Sequence, residues 1–310
     1  MRGFRLKMVL PGFLLLLALA GCGSSGPGVA DSRVAVFAGI PPLGWLVERV
    51  GAGAVNCAVL VEPGQSAHSF EPAPAQVAAL ARARLYFTSG LPFEEAIAAR
   101  ARQSFPNLEL VDLRQGLALL ALTGPLHLGG GSPDGDSHEH AAGEPDPHFW
   151  LDPQRMRTAA GTICEALCRA KPESTELFRN NLAQVQSDLE ALDRRLERRL
   201  EPYRGRTFYV FHPAFGYFAA RYGLTQAAVE AGGHEPSARE LARLVDRLRA
   251  DRAGTLFIQR QFALSAAASL EHSLGLRLVA LDPQPADYLS GLDEIGRQIA
   301  DSFESASGMN

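Results

Sequence analysis

Eight histidines are spread through the 310 residues, and three of them share one kind of position. His68, His148 and His212 each follow a strand-like or loop segment and precede a helix start marked by proline (Pro72 and Pro74, Pro153, Pro213). Asp282 holds a fourth such position, directly after an apolar strand-like run and before Pro283, and Glu230 a fifth. Three imidazoles and one carboxylate make a tetrahedral zinc set. Imidazole also suits copper, iron and nickel, whereas manganese prefers more oxygen. Only neutral imidazole binds a metal, so affinity is expected to fall as pH drops through about 6–6.5.

These positions come from an alternation of short apolar strands with amphipathic helices. The first series is strand Val34–Ala38, helix Pro42–Val50, strand Cys57–Val61, helix Pro74–Arg84, strand Leu85–Thr88, helix Phe93–Ser104 and strand Leu108–Val111. After Pro202 come strands Phe208–Phe211, Thr225–Val229, Thr255–Ile258 and Arg277–Leu281. They alternate with helices Ala214–Tyr222, Ser237–Ala250 and Ser265–Leu274, and a last helix runs from Tyr288 to Phe303. This order predicts mainly parallel sheets with helices on both faces. Between the series lie helices Pro153–Ala170 and Pro172–Leu200. The second is charged, with Leu189, Leu192, Leu196 and Leu200 spaced by three and four. That spacing predicts one apolar stripe on a solvated helix, too short for a coiled coil. The fold class is α/β, two lobes with mainly parallel sheets joined by one long helix. The boundaries read 33–171, 172–203 and 204–310. Ligands of open α/β sheets lie beyond the carboxyl ends of the strands. The histidines and Asp282 can therefore converge on the cleft between the lobes.

The first residues belong to neither lobe. Arg2, Arg5 and Lys7 precede an apolar run from Met8 to Ala20. That run is short of the roughly 20 residues a membrane span needs, and it fits a secretory signal. It ends Leu19-Ala20-Gly21-Cys22, which resembles the cleavage site of bacterial lipoproteins. Residues 1–21 then read as a signal peptide, Cys22 as the lipidated residue and 22–32 as a Gly/Ser-rich tether. The chain is expected to be exported and lipid-anchored to a bacterial membrane, on its periplasmic or cell-surface face. A formal charge of −4 gives no basic excess for nucleic acid. Removing residues 1–21 takes three positive charges and moves it to −7, a weak preference for cations.

With Cys22 modified, Cys57, Cys164 and Cys168 allow at most one internal disulfide. Cys164 and Cys168 share a helix face and read as buried thiols, a zinc pair being the alternative. His234, in a glycine-flanked turn, reads as exposed, and His272 as a mid-helix polar residue. Glu71, three after His68, either orients a ligand from behind or caps the helix near Pro72.

Five words carry a resemblance: Gly64–Pro74 (GQSAHSFEPAP), Asp146–Pro153 (DPHFWLDP), Phe211–Leu224 (FHPAFGYFAARYGL), Glu235–Leu241 (EPSAREL) and Leu281–Pro283 (LDP). With them the chain resembles, over essentially its whole length, the metal-binding (zinc/manganese) solute-binding lipoproteins of bacterial ABC importers. DPHFWLDP and FHPAFGYF are the specific words. The resemblance implies two lobes bridged by a long helix, with His68 and His148 from the first lobe and His212 and Asp282 from the second holding the ion. Zinc-specific members often carry a histidine- and acid-rich insertion before the second histidine. Here the long, Gly- and Pro-rich segment from Gly116 to Pro147 holds His127, Asp134, Asp136, His138, Glu139 and His140. Its word DSHEH either holds zinc weakly or is a solvated loop; His138, His140 and Glu230 are accessory candidates. The chain departs from many relatives at Gln259-Arg260-Gln261-Phe262, where they have Glu-Pro-Gln-Phe.

The expected function is extracytoplasmic capture of zinc for delivery to an ABC importer permease, by a monomer and without enzymatic activity. Three alternatives stay open: a manganese protein of the same family, a surface adhesin on the same scaffold, and a zinc hydrolase using Glu71 or Glu230 as base. No HExxH word is present for the last.

Overall fold

The apolar runs build two four-stranded sheets in which every neighbouring pair is parallel. A computed structural model describes residues 32–122, 145–228, 246–251, 253–259 and 276–307. In the first lobe β1 (Val34–Ala38), β2 (Val55–Val59), β3 (Leu85–Thr88) and β4 (Glu109–Asp112) lie in the order β2-β1-β3-β4. In the second, β5 (Thr207–Val210), β6 (Thr225–Ala228), β7 (Thr255–Gln259) and β8 (Arg277–Leu281) lie in the order β6-β5-β7-β8. One strand order is thus used twice, with the first strand of each lobe in the interior. Registers align the carboxyl ends: Ala38 faces Val59 and Phe87, and Gln259 faces Leu281.

The helices are α1 (Pro41–Gly51), α2 (Pro74–Leu80), α3 (Pro92–Ser104), α4 (Pro153–Ala170), α5 (Thr175–Leu200), α6 (Gly216–Tyr222) and α7 (Tyr288–Ser307). Proline stands in the first turn of α1 to α4, where its missing N–H costs nothing. Two helices are shorter than their sequence suggests. The expected Pro74–Arg84 stops at Leu80, because the Arg84 N–H is drawn to the Ala35 carbonyl at 2.8 Å. Helix α6 starts at Gly216, not Ala214, because the Phe215 N–H donates to Gln226 Oε1 at 2.5 Å. It ends at Gly223, whose φ of +68° is the left-handed cap conformation. The expected helix Ser265–Leu274 and most of Ser237–Ala250 lie outside the described residues; 246–250 are helical.

Alternation along β5 divides the interior. Phe208 and Val210 join a core that runs through both lobes, while Tyr209 and Phe211 join a smaller one with Leu248, Leu256 and Ile258. The linking helix unites the lobes. Leu189, Leu192, Leu196 and Leu200 have no exposed surface, so the stripe is buried, not laid along a free strut. α5 packs on α1 and α4 of the first lobe and on α7 of the second. Gly296 lets α7 approach closely, since a Cβ there would stand 2.3 Å from Leu196 Cδ2. Arg199 donates to Asp293 Oδ1 on α7 at 2.9 Å.

Toward the carboxyl end of α5 a buried carboxylate joins three helices. Asp193 accepts from Gln154 Nε2 of α4 at 2.5 Å, from Arg221 Nε and Nη2 of α6 at 2.9 and 2.5 Å, and from the Tyr222 hydroxyl at 3.1 Å. Burial alone would raise its pKa, but the Arg221 and Gln154 hydrogen bonds and the Arg221 charge outweigh burial and hold it below the usual carboxylate range. A depressed carboxyl stabilises the fold above its unfolded pKa of about 3.9 and loses that contribution as pH falls toward the folded value. Urea unfolding at pH 7 is therefore expected to show Asp193→Ala less stable by about 3 kcal/mol, the cost of stranding a buried partner. The gap between variant and wild type should narrow as pH is taken below about 4.

Candidate metal centre

His68 is placed by a loop that leaves the end of β2. The chain stays tied to β1 through Leu60 N–H to Ala38 O and Val61 N–H to Gly39 O, then turns at Gly64, where φ is +88°. Gln76, in the first turn of α2, closes the loop from behind. Its Nε2 donates to Leu60 O at 2.9 Å, and its Oε1 accepts from Ala73 N–H at 2.9 Å. Ala67 is buried and Phe70 packs edge-on against Phe93, which leaves His68 between them exposed.

His148 is buried, 2% exposed, and its ring is held by Asp146. Both the His148 backbone N–H, at 2.9 Å, and Nδ1, at 2.7 Å, meet Asp146 Oδ1. A carboxylate at Nδ1 puts the proton there, so Nε2 presents its lone pair on the other side. Asp146 is itself held from both directions. Its N–H donates to Leu120 O at 2.8 Å, and its carbonyl accepts from the hydroxyl of Tyr217 on α6 at 2.8 Å. Gly216 leaves room for the carboxylate: a Cβ there would stand 3.0 Å from Asp146 Oδ2. The neighbouring ends of the long segment, Ala121 and Pro145, form an antiparallel bridge.

His212 follows β5 across the cleft and is 7% exposed. Its Nε2 lies 3.1 Å from His68 Nε2. One nitrogen atom from each of His68, His148 and His212 falls within 4.8 Å of the others. Ring centroids are 4.6 Å apart for His68 and His212 and 5.5 Å for each pair with His148. Two nitrogens bound to one tetrahedral zinc at about 2.05 Å would be about 3.3 Å apart, so the His68–His212 spacing is close to what an ion needs. Without an ion the 3.1 Å contact requires a proton on one of the two Nε2 atoms; to offer that nitrogen to an ion, the neutral ring would have to carry its proton on Nδ1 instead.

Among the described residues this cluster comprises the three histidines. Asp282 lies at the end of β8, where its Oδ1 accepts from Gln284 N–H at 2.9 Å, and it does not join them. Its loop is nevertheless pinned to the His148 segment. Trp150 Nε1 donates to Pro283 O at 2.7 Å, and Trp150 O accepts from the Tyr288 hydroxyl at 2.7 Å. The Trp150 ring is also 5.2 Å from that of His148. Glu71 is exposed, and the start of α2 beside it is closed by Gln76. Gln259 is buried at the end of β7. Cys22, His127, His138, His140, Glu230, His234, His272 and the EPSAREL word lie outside the described residues.

Asp146 lies inside the word DPHFWLDP, yet it is not among the candidate site residues read from the sequence. The signal was there: a carboxylate two residues before a ligand-type histidine can reach both its backbone and its ring. The Trp150–Pro283 and Tyr217–Asp146 bonds join residues far apart in the chain and leave no such trace.

The chain matches the family model for ZnuA, zinc-uptake complex component A, periplasmic, over residues 36–302. It is 28% identical over 335 residues to the high-affinity zinc uptake system protein ZnuA of Brucella abortus, covering 94% of this chain and 96% of that one. It is 26% identical over 303 residues to the zinc-binding lipoprotein AdcA of Streptococcus pneumoniae, covering 96% of this chain and 58% of that one. A crystal structure of ZnuA superposes with a TM-score of 0.78 and 32% identity, over 87% of this chain and 99% of that one.

Removing the carboxylate behind His148 frees its ring and tautomer. Asp146→Ala is expected to weaken metal binding 10–100-fold with the far-UV circular dichroism unchanged, read by calorimetry. Trp150→Phe keeps the ring but strands the Pro283 carbonyl, so thermal unfolding should show a loss of about 1–3 kcal/mol.

Proposed function

This chain belongs to the periplasmic zinc-uptake complex component A family, and on that premise we infer that it captures zinc outside the cytoplasmic membrane and passes it to an ABC importer. The observation that carries the reading is the convergence of His68, His148 and His212 from the two lobes, ligand atoms within 4.8 Å of one another. Three imidazoles favour zinc over manganese, which takes more oxygen ligands. The ion is cargo and no covalent bond between heavy atoms changes; the chemistry is coordination through imidazole lone pairs, which requires each coordinating nitrogen to be free of its proton.

Asp282 is the proposed fourth ligand. It stands at the carboxyl end of β8, and a swing away from the Gln284 N–H would free its Oδ1. An ion shared between lobes would fix their relative pose. The burial of α5 along both lobes limits hinge motion, so loading and release are proposed to move loops rather than swing domains. His138 and His140 are proposed as an accessory station, since the bridge between Ala121 and Pro145 places the ends of their segment beside Asp146. Cys22 is the proposed lipid anchor, which would hold the monomer near its permease. Among the described residues no helix is long and apolar enough to cross a membrane.

Calorimetry on the metal-stripped chain should show one tight zinc event with manganese weaker. His212→Ala should lose more than the 10–100-fold expected for an outer partner, and Asp282→Ala should release zinc faster. Manganese binding as tight as zinc would overturn the choice of ion. No tight site for either would make the cluster structural, and an unchanged Asp282→Ala would remove that residue from the ligand set.

A further inference from the structure

The zinc reading leaves one pair of ligating side chains unused. Cys164 and Cys168 lie one turn apart on α4, and their sulfurs are 4.0 Å from each other. Both are free thiols. Cys164 is 4% exposed, while Cys168 is half-buried and gives the pair an opening to solvent. We propose that Cys164 and Cys168 form a two-thiol site for a soft monovalent d10 cation, copper(I) or its analogue silver(I), separate from the histidine cluster.

The spacing suits an ion better than a disulfide. Two metal–sulfur bonds of about 2.3 Å span about 3.8 Å at the tetrahedral angle and about 4.6 Å when collinear. The observed 4.0 Å falls between them, so an ion enters with little movement. A disulfide would need the sulfurs to close to about 2.05 Å while both remain on one helix.

The surroundings select the ion. Burial, then the neighbouring Cys168, push the Cys164 thiol up to about 11, so its sulfur stays protonated at neutral pH and is a poor ligand for ions that compete weakly with protons. Zinc with only two protein ligands falls in that class, whereas thiolate selects copper(I). Binding breaks two S–H bonds, forms two metal–sulfur bonds and releases two protons, with no change of oxidation state. The resulting complex carries one negative charge. Arg179, on the first turns of α5, acts on Cys164 in the sense that favours the anion, while Glu165 opposes it.

The test uses the full chain with Cys22→Ser and Cys57→Ser, which leaves Cys164 and Cys168 as its only thiols. Silver(I) is titrated at pH 7 against excess free methionine, followed by ultraviolet charge-transfer absorption and intact mass. One equivalent should bind, and adding either Cys164→Ala or Cys168→Ala should abolish it. Uptake should survive His212→Ala, and zinc calorimetry should be unchanged by Cys168→Ala. Circular dichroism on each variant, with zinc binding as the second check, excludes misfolding as the cause of lost uptake. Uptake that persists in either single-thiol variant, that disappears with His212→Ala, or that fails because the chain is isolated 2 Da lighter as a disulfide overturns the proposal. None of these outcomes depends on whether the histidine cluster prefers zinc.

Discussion

The relation between the two lobes rests on a carboxylate buried toward the carboxyl end of the linking helix. Asp193 gathers Gln154 of α4, Arg221 and Tyr222 of α6, and so sets where the second lobe stands against the first. Everything in the cleft inherits that placement. Tyr217 is four residues before Arg221 on the same short helix, and it reaches across to the Asp146 carbonyl. Asp146 in turn orients His148. A line of contacts therefore runs from α5 to an imidazole, with α6 itself carrying it from Arg221 to Tyr217. A buried carboxylate is costly unless every lone pair finds a donor, and here the donors come from different elements, which converts the cost into positional information.

The repeated strand order explains why the histidines meet. Both sheets are parallel and turn their carboxyl ends to the cleft, so a loop leaving β2 and a loop leaving β5 arrive at facing positions. His68 and His212 come from those loops, and their nitrogens touch. His148 comes from neither sheet. It precedes α4, and it reaches the same place because Leu120 and Trp150 tie its segment to the first lobe's last loop and to the 282–284 turn.

Much of this could be read from the residues. Strand and helix alternation located all eight described strands, because short apolar runs between helix-patterned stretches mark a parallel sheet even where an edge strand is partly exposed. The three histidines were legible from their place after a strand or loop and shortly before a helix start. What was not legible depends on contacts across long stretches of chain. The leucine stripe of α5 predicts one buried face, but nothing local says that both lobes cover it. The early end of α2 is decided by a hydrogen bond from Arg84 to another strand, and the late start of α6 by Gln226 on the strand that follows it. Asp282 was placed by its position after a strand, and that position is observed; where its carboxylate points is set by the Gln284 N–H, two residues on.

The exposure of the three imidazoles is unequal, and that inequality has a kinetic consequence. His148 and His212 are closed to solvent, while His68 stands at the surface on a loop held by Gln76. An ion held by the three imidazoles would be approachable from the side of His68. A competing chelator would then meet His68 before the two buried rings. Exchange with small scavengers would thus follow an associative, one-sided route, with a rate set by how fast the loop around His68 yields. The buried pair would act as the slow store, so the same ion could be guarded against random theft and still be surrendered to a partner shaped to lift one loop.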